Sequence, residues 1–236
     1  MSEALTPQSL KSVLNDLGFP VQETVVCQLT AYLKDLLHWN RAINLTGIKD
    51  WQLIVRKLIV DSLYLAKLLS ELPLPKDPCI CDLGAGAGLP GIPLRLLYTG
   101  GSYLMLEKMA KRAVFLRNML ARMDLPATQV IETDIRDYAR DNPSCADLVL
   151  SRAFLPFPKL AEAARPFLKD QGYLLVLSST PFVADKACGW TAKTIVPYTV
   201  EAKDRWFWVL LNTDAQGRQS PQDRADSCKQ EGYKNS

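Results

Sequence analysis

The glycine-rich segment from Cys79 to Gly91 constrains the fold of this chain more than any other part of the sequence. An apolar strand pattern ends at Asp82, three glycines follow at alternate positions, and a helix pattern opens near Pro90. Glycine permits positive φ and lets a ligand approach the main chain closely. A helix N-terminus presents unpaired N–H groups. The segment therefore predicts a strand–turn–helix unit that cradles a ligand.

The sequence rhythm on either side of this turn predicts an α/β fold. Between residues 79 and 212, short apolar runs alternate with helical patterns. The predicted strands are 79–83, 103–106, 128–131, 147–150, 173–177 and 206–211, and the predicted helices between them are 91–98, 109–123 and 156–168. This alternation is typical of a doubly wound, mainly parallel sheet. The last strand follows no clear crossover helix, so we expect it to be an antiparallel edge strand.

The two ends of the chain differ from this α/β region in their sequence patterns. Residues 1–72 have helical periodicity, with helices predicted from Pro7, which Thr6 can cap, to Gly18, from about residue 22 to 41, and from about residue 51 to 69. Residues 213–236 are almost all polar and have no periodicity, which is typical of a disordered tail. We therefore divide the chain into an N-terminal helical cap (1–72), an α/β domain (73–212) and a polar tail (213–236).

Composition excludes several classes of protein. A single histidine, His38, rules out histidine-rich zinc sites, and no metal site is expected. The six cysteines form no Cys-x-x-Cys pair, so a reducing compartment fits; we expect Cys79, Cys81 or both to be buried as small apolar side chains. The net charge of +3 neither demands nor excludes nucleic acid. No leader pattern or membrane-length apolar run is visible, so we expect a cytoplasmic protein.

The glycine spacing separates two families of cofactor fold. In the dinucleotide pattern Gly-x-Gly-x-x-Gly, the third glycine would fall on Leu89. The spacing found, Asp-x-Gly-x-Gly-x-Gly, resembles the first motif of class I methyltransferases that use S-adenosylmethionine (SAM). That resemblance implies a cradle for the methionine part of the cofactor, formed by Asp82, Gly84, Gly86 and Gly88.

Two further acidic residues agree with a nucleoside cofactor. Glu107 ends the second predicted strand, where a carboxylate can accept hydrogen bonds from both ribose hydroxyls; this feature alone would also suit NAD. Asp134 follows the third strand, where class I enzymes often contact the adenine amine. Together with the glycine turn, these residues favour SAM over NAD, and both over a purely structural turn.

The residues after the fourth predicted strand limit the acceptor. The Asn/Asp-Pro-Pro-Tyr motif of amine methyltransferases is absent, because Ser151, Arg152, Ala153 and Phe154 stand there. Cys145 follows serine rather than proline, which disfavours the covalent cysteine mechanism. Direct transfer to a nucleophile that needs no deprotonation, such as guanine N7, remains. Positioning then matters more than a general base.

Several segments in order resemble one family. They are Leu37–Gly47, Asp61–Leu63, Asp82–Ile92, Lys111–Arg112 with Phe115–Leu116, and Ser151–Ala153. Together they resemble the bacterial 16S rRNA guanine-N7 methyltransferases called RsmG or GidB, over roughly residues 10–212. The resemblance implies methylation of a guanine in the 530 loop (guanine 527 in rRNA numbering), with 16S rRNA or the small ribosomal subunit as partner. It also implies cofactor contacts at Gly84, Leu89, Glu107, Ile135, Arg136 and Arg152.

Arg152 is the candidate catalytic residue. Its place at the end of the fourth strand puts it on the ligand-binding rim of the sheet. We expect it to position the cofactor carboxylate, a phosphate or guanine O6; a surface ion pair is the alternative. No general base is expected.

Basic residues predict the RNA contacts. The helix after Glu107 begins with Lys108, Lys111 and Arg112, and a basic helix beside the pocket suits RNA phosphates, although a solvated face is the plainer alternative. Arg41 and Asn44 lie at the end of the second helix, in a part that the family resemblance implies contacts RNA; Asn44 could instead cap a helix.

The sequence departs from the family pattern at four places, which involve six residues. Leu58 stands where members have histidine, Asp134 and Arg136 exchange acid and base, Ser178-Ser179 replaces Lys-Gly, and Trp206 replaces a histidine. Losing basic groups weakens phosphate attraction. Alternatives to the rRNA enzyme are therefore a small-molecule SAM methyltransferase and a non-catalytic SAM- and rRNA-binding ribosome factor, with a NAD oxidoreductase behind them. We expect a monomer with no membrane contact.

Overall fold

The N-terminal part of the molecule is a layer of helices. The structure, a computed structural model, describes residues 4–183 and 189–213. The layer consists of α1 (Pro7–Asp16), α2 (Glu23–Ile43), α3 (Trp51–Ile54), a π-helical turn (Val55–Ile59) and α4 (Val60–Glu71). Thr6 caps α1 as predicted, because its Oγ1 accepts from the Ser9 amide at 3.1 Å. The predicted cap boundary falls between α4 and the first strand.

The α/β part forms one seven-stranded sheet. Its strands are β1 (Cys79–Leu83), β2 (Ser102–Glu107), β3 (Thr128–Glu132), β4 (Ala146–Arg152), β5 (Leu168–Ser178), β6 (Trp190–Val200) and β7 (Lys203–Asn212). The helices are α5 (Gly91–Arg95), α6 (Ala110–Arg122), α7 (Ile135–Asp141) and α8 (Phe157–Ala164), and a 3-10 turn (Arg165–Phe167) follows α8. The order β3-β2-β1-β4-β5-β7-β6 confirms the doubly wound α/β class.

The strand order changes direction at β1: β2 and β3 lie on one side of it, and β4 and the later strands lie on the other. This strand pairs in parallel with β2 on one side and with β4 on the other. In such sheets, the crevice at the carboxyl ends of the two strands that flank the reversal binds the ligand. The glycine turn leaves the carboxyl end of β1, so the topology puts it at this crevice.

Two cores cover the two faces of the sheet. On one face, Ile80, Leu148 and Leu175 pack with side chains of the N-terminal helices, such as Leu29 and Leu33. The opposite core contains Cys81 and Val149 and is closed by α7 and α8. Cys81 is fully buried, as predicted for an apolar thiol, and Cys79 is partly exposed. The helical layer is therefore continuous in packing with the sheet.

The end of the sheet differs from the sequence prediction. Strand β7 is antiparallel to β5, as predicted, but it is not the edge strand, because β6 pairs with its other side. Strand β6 was not predicted, because it carries no unbroken apolar run; in its last part exposed Pro197 and Thr199 alternate with buried Tyr198 and Val200. Proline lacks the N–H that an interior strand needs, and it is tolerated here because β6 is an edge.

Helix boundaries also differ in places. The short polar helix α7 was missed, and α5 ends at Arg95 rather than near residue 98. The predicted helix at 156–168 ends as α8 at Ala164, and Pro166 then lies in a 3-10 turn. The predicted polar tail lies outside the described residues, apart from Thr213.

A buried arginine closes the end of the sheet opposite the glycine turn. The Arg95 side chain is inaccessible to solvent, and its guanidinium donates to Thr128 Oγ1 and to five main-chain carbonyls between 2.7 and 3.2 Å. These carbonyls belong to residues 98–101 and Pro126, so one side chain joins the loops that precede β2 and β3. Burial lowers the pKa of Arg95, but the guanidinium remains charged.

We expect Arg95→Lys to lower the free energy of unfolding by about 3 kcal/mol, because an ammonium has three donors and would leave buried carbonyls unpaired. Urea unfolding followed by circular dichroism measures this change. Arg140→Lys is the matched control, because Arg140 is exposed and pairs with Asp137 and Asp141 on the surface. A loss below about 0.5 kcal/mol for Arg95→Lys would show that this arginine does not hold the loops.

Candidate cofactor and acceptor site

The glycine turn adopts main-chain angles that require glycine. Gly84, Gly86 and Gly88 have φ of +73°, +58° and +74°. A side chain at Gly84 would also collide with the Phe154 ring, whose Cδ2 would lie 2.2 Å from the added Cβ. The amides of Gly84 and Ala85 both donate to the Leu106 carbonyl, which fixes the start of the turn against β2. The turn thus exposes main chain at the end of β1.

Glu107 connects this turn to the end of β2. Its carboxylate is buried and accepts hydrogen bonds from the amides of Gly86 and Met109, both at 2.8 Å. Each carboxylate oxygen has two lone pairs, so both keep one acceptor position. The arrangement can therefore receive two neighbouring hydroxyl groups, as expected of a ribose-binding residue.

Asp82 lies beneath the turn with almost no exposed surface. It accepts a hydrogen bond from the Tyr103 hydroxyl at 2.9 Å. Burial raises the pKa of the Asp82 carboxyl to about 7, against the Tyr103 hydrogen bond, which favours the ionised form. A cationic group placed next to it would restore the ionised form near neutral pH.

The helical layer supports the turn from the other side. The Tyr32 hydroxyl donates to the Ala87 carbonyl at 2.8 Å, and Ser62 Oγ donates to the Pro90 carbonyl at 3.0 Å. Both donors are buried. Leu89, a predicted cofactor contact, lies between these two carbonyls and is half-buried. The turn is therefore held from the sheet by Glu107 and from the helices by two hydroxyl groups.

The predicted adenine contacts begin α7. Asp134 caps this helix, accepting from the Arg136 amide at 3.0 Å, and also binds Lys108 Nζ at 2.8 Å. The hydrogen bond from Lys108 lowers the pKa of Asp134. Ile135 is half-buried and the Arg136 side chain is exposed. These residues follow β3, on the far side of β2 from Arg152.

Arg152 belongs to a buried cluster around one carboxylate. Its Nε lies 3.4 Å from Oδ2 of Asp61, while Oδ1 accepts from Arg205 Nη1 and from the Tyr198 hydroxyl at 3.1 Å. Arg205 also donates to the Lys57 carbonyl at 2.8 Å. Asp61 is only 2% exposed, so its charge is neutralised by these partners. Two guanidinium groups share one carboxylate, which leaves a net positive charge.

A cavity of about 320 Å³ opens on this cluster. Its lining consists of the four cluster residues with Ala153, Leu177, Ser178 and Ser179. Every charged side chain in the lining is therefore Asp61 or one of its two arginines. The cavity lies at the carboxyl ends of β4 and β5, next to the crevice that holds the glycine turn.

Sequence reasoning found Arg152 but missed its partners. In the sequence, Asp61 stands in one of the segments that resemble the family, and Arg205 stands beside Trp206, one of the departures from the family pattern. Tyr198 lies in the strand that was not predicted. Tertiary contacts bring this cluster together, and a local sequence pattern does not show them, because Asp61 and Arg205 are 144 positions apart.

The predicted RNA-contacting residues gather at one end of two packed helices. Arg122 pairs with Asp35 at 2.8 Å, and the Phe115 and Trp39 rings meet at 5.8 Å, so α2 and α6 run antiparallel. This pairing brings the end of α2, where Arg41 and Asn44 are exposed, to the beginning of α6, where Lys111 is exposed and Arg112 half-buried. Lys108 differs, because it already pairs with Asp134. Asn44 adopts the left-handed conformation that ends α2, which matches the capping alternative.

Comparison with known proteins decides the family. The family model described as GidB, rRNA small subunit methyltransferase G, matches residues 26–189. Ribosomal RNA small subunit methyltransferase G of Nitratidesulfovibrio vulgaris is 41% identical over 203 residues, which cover 86% of this chain and 93% of that protein. The protein of the same name from Oleidesulfovibrio alaskensis is 38% identical, over 85% of this chain and 91% of its own length. This chain belongs to the rRNA small subunit methyltransferase G family.

Solved structures agree on the fold of this rRNA small subunit methyltransferase G family member. A mutant of MtNAS in complex with S-adenosylmethionine superposes with a TM-score of 0.56 at 13% identity, covering 88% of this chain and 84% of that one. TYW2 of P. horikoshii in complex with MeSAdo gives 0.50 at 14% identity, covering 65% and 61%. The chain is a SAM-dependent methyltransferase with a class I fold, as predicted.

The residues present fit SAM. Asp82 and Glu107 are buried acceptors that would suit a cationic amino acid and a ribose, and the glycine turn leaves its main chain open between them. Within residues 4–183 and 189–213, no group of three or more His, Cys, Asp or Glu side chains is arranged to hold a metal ion. No helix in the same ranges is long and apolar enough to cross a membrane.

We expect Glu107→Gln to weaken SAM binding about tenfold or more, because the amide replaces one acceptor oxygen with a donor. Isothermal titration calorimetry measures the dissociation constant. Glu132→Gln is the matched control: Glu132 stands opposite Glu107 on β3, is exposed and pairs with Arg117. Equal SAM affinity in the wild type and Glu107→Gln would refute the ribose assignment.

The raised pKa of Asp82 predicts pH-dependent SAM binding. The amino group of SAM is cationic and favours the ionised carboxylate, so affinity should increase about tenfold from pH 5.5 to pH 7. Titrations across this range should show a flat profile for Asp82→Asn. Tyr103→Phe should move the midpoint to higher pH, because it removes a hydrogen bond to the ionised form. A wild-type profile without slope would contradict the assignment.

The raised pKa of Asp82 also makes the stability of the fold depend on pH. The folded pKa of about 7 lies above the unfolded value of about 3.9, so the folded state retains a proton that the unfolded chain loses. The contribution of Asp82 to stability therefore decreases as pH rises from about 4 to about 7.

Proposed function

We propose that this chain transfers a methyl group from SAM to N7 of a guanine in 16S rRNA, in the 530 loop at guanine 527 in rRNA numbering. The target follows the family resemblance and the name that the curated relatives share, Ribosomal RNA small subunit methyltransferase G. The single observation that carries the choice of acceptor atom is the lining of the Arg152 cavity.

That lining supplies cations and hydroxyls, but no free base. Oδ1 of Asp61 accepts hydrogen bonds from Arg205 and Tyr198, and Oδ2 lies 3.4 Å from Arg152 Nε in an ion pair. An acceptor that first had to lose a proton would find no unengaged carboxylate or imidazole in this lining. Guanine N7 needs none, because its lone pair is free at neutral pH. The cavity therefore supports transfer to N7.

The cluster residues would act by positioning. When bound, SAM supplies an electrophilic methyl group on a sulfonium sulfur. The guanidinium groups of Arg152 and Arg205 would hold guanine O6 or a neighbouring phosphate, which leaves N7 aimed at the methyl group. Asp61 fixes both arginines and limits the positive charge of the cavity. Tyr198 completes the hydrogen bonding of Asp61.

The RNA would approach across the end of α2 and α6. Arg41, Asn44, Lys111 and Arg112 lie together there, and positive side chains on one surface attract phosphates. The target base must leave its stack to reach a cavity, so a loop is a better substrate than a duplex. The enzyme would act in the cytoplasm, as a monomer.

We expect one methylated position when the full chain, radiolabelled SAM and small subunits lacking the N7 methyl group are incubated together, with naked 16S rRNA in parallel. Chain cleavage specific to N7-methylguanine maps the product, and a single cleavage in the 530 loop is expected. Incorporation of the labelled methyl group without that cleavage would show that the acceptor is another atom or nucleotide. Tight SAM and RNA binding without label would favour the non-catalytic ribosome factor.

Arg152→Lys should reduce transfer in this assay about 100-fold while the chain still folds, because a lysine keeps the charge but loses the planar fork. Arg140→Lys serves as control, since Arg140 is exposed on α7, away from the cavity. Wild-type turnover by Arg152→Lys would remove Arg152 from the catalytic machinery.

A further inference from the structure

A second, apolar cavity lies at the carboxyl end of β5. Its volume is about 350 Å³, and its lining includes Phe157, Pro158, Pro181, Phe182, Val183 and Trp208. It belongs to the face of the sheet covered by α8, whereas the Arg152 cavity belongs to the face covered by the N-terminal helices. The cofactor site and the acceptor cavity do not use it.

Three aromatic rings form the floor of this cavity. Phe157 and Trp208 meet at 5.4 Å between centroids, Phe182 and Trp208 at 5.5 Å, and Phe157 and Phe182 at 6.4 Å. All three pairs are edge-to-face, with interplanar angles from 69° to 89°. No pair is stacked flat, so within this trio no two ring faces cover each other. Phe157 and Phe182 are only partly buried.

A single short turn separates this aromatic cavity from the acceptor cavity. The Thr180 carbonyl accepts from Trp208 Nε1 at 3.1 Å and from Ser178 Oγ at 2.9 Å. Ser178 lines the acceptor cavity, and Thr180 lines the aromatic cavity. The hydrogen bonds therefore hold the two cavities in a fixed relation, on adjacent parts of the same rim.

We propose that the aromatic cavity binds the nucleobase next to the target guanine in the RNA strand. This inference rests on the proposed function, because it extends the rRNA strand from the acceptor cavity across the Ser178–Thr180 turn. An unpaired base is planar and apolar on its faces, and it stacks on aromatic side chains in single-stranded RNA recognition. Lys159, in the first turn of α8, is exposed and available for the phosphate of that nucleotide.

This subsite would add affinity without reading sequence strictly. Every base has a ring face, so stacking tolerates any neighbour. The rim beside the acceptor cavity thus gains an anchor for the strand, which limits how the target guanine can enter. The cavity compensates in part for the family lysine that Ser178-Ser179 replaces, because stacking supplies contact where a charge is missing.

Fluorescence of 2-aminopurine tests this proposal without methyl transfer. The base is placed on either side of the target in 16S rRNA by splinted ligation, and the full chain is added without SAM. We expect quenching at one of the two positions with the wild type and with Phe182→Tyr, which keeps a ring. Phe182→Leu, which keeps apolar volume but not the ring, should lose the quenching. Leu53→Ala, at an exposed apolar residue of α3, is the control.

Kinetics give a second, independent measurement. Phe182→Leu should raise the KM for rRNA about tenfold and leave the KM for SAM unchanged. An abasic nucleotide at the responding position should raise the wild-type KM by a similar factor and change that of Phe182→Leu little. The unchanged KM for SAM shows that the variant folds. The abasic substrate tests the wild type even if the variant does not fold.

Two outcomes would overturn the inference: no quenching at either neighbour, or equal quenching by the wild type and Phe182→Leu. Methyl transfer to N7 with no ring-dependent signal would reject the stacking subsite and keep the proposed function. Ring-dependent quenching without any methyl transfer would keep the stacking subsite and reject the proposed function. The two proposals can therefore fail separately.

Discussion

One buried carboxylate, Asp61, joins parts of the chain that the sequence keeps far apart. It lies on α4 and binds Arg152 from β4, Tyr198 from β6 and Arg205 from β7. A buried charge is tolerated only when it is paired and hydrogen-bonded, because its desolvation costs several kcal/mol. The helical layer thus sets where two arginines of the sheet point. The cluster also gives the two antiparallel strands a role: β7 brings Arg205 to the rim of the sheet, and β6 brings Tyr198.

The rim of the sheet separates charge by sign. Asp82 and Glu107, on β1 and β2, are acidic, and Arg152 and Arg205, on β4 and β7, are basic. In the proposed function, SAM would bring positive charge to the first pair and RNA negative charge to the second, so each ligand would meet its complement. The change of sign occurs between β1 and β4, where the strand order reverses. Fold topology and electrostatics therefore mark the same crevice, independently of each other.

Local sequence patterns were enough to predict most of the fold and part of the candidate site, and the features that were missed depend on tertiary contacts. The glycine turn and the end of β2 are local signals, because φ above zero demands glycine and strand length is set by apolar runs. The fold class followed from the alternation of apolar runs with helical patterns, and the antiparallel β7 from the lack of a clear crossover helix before it. Strand β6 could not be found this way: as an edge strand that contains Pro197, it lacks the apolar run of an interior strand. The partners of Arg152 were missed because burial, rather than spacing, brings Asp61 to it.

The two hydroxyl groups that hold the glycine turn have a consequence for how such enzymes diverge. Tyr32 and Ser62 donate to the carbonyls of Ala87 and Pro90 across the boundary between the helical layer and the sheet. A recombination event between α4 and β1 would exchange these donors and leave buried carbonyls unpaired, at about 1–3 kcal/mol each. The same event would remove the counter-ion of Arg152 and Arg205. The helical layer is therefore not a portable accessory to a methyltransferase sheet, and the two parts must be inherited as one unit.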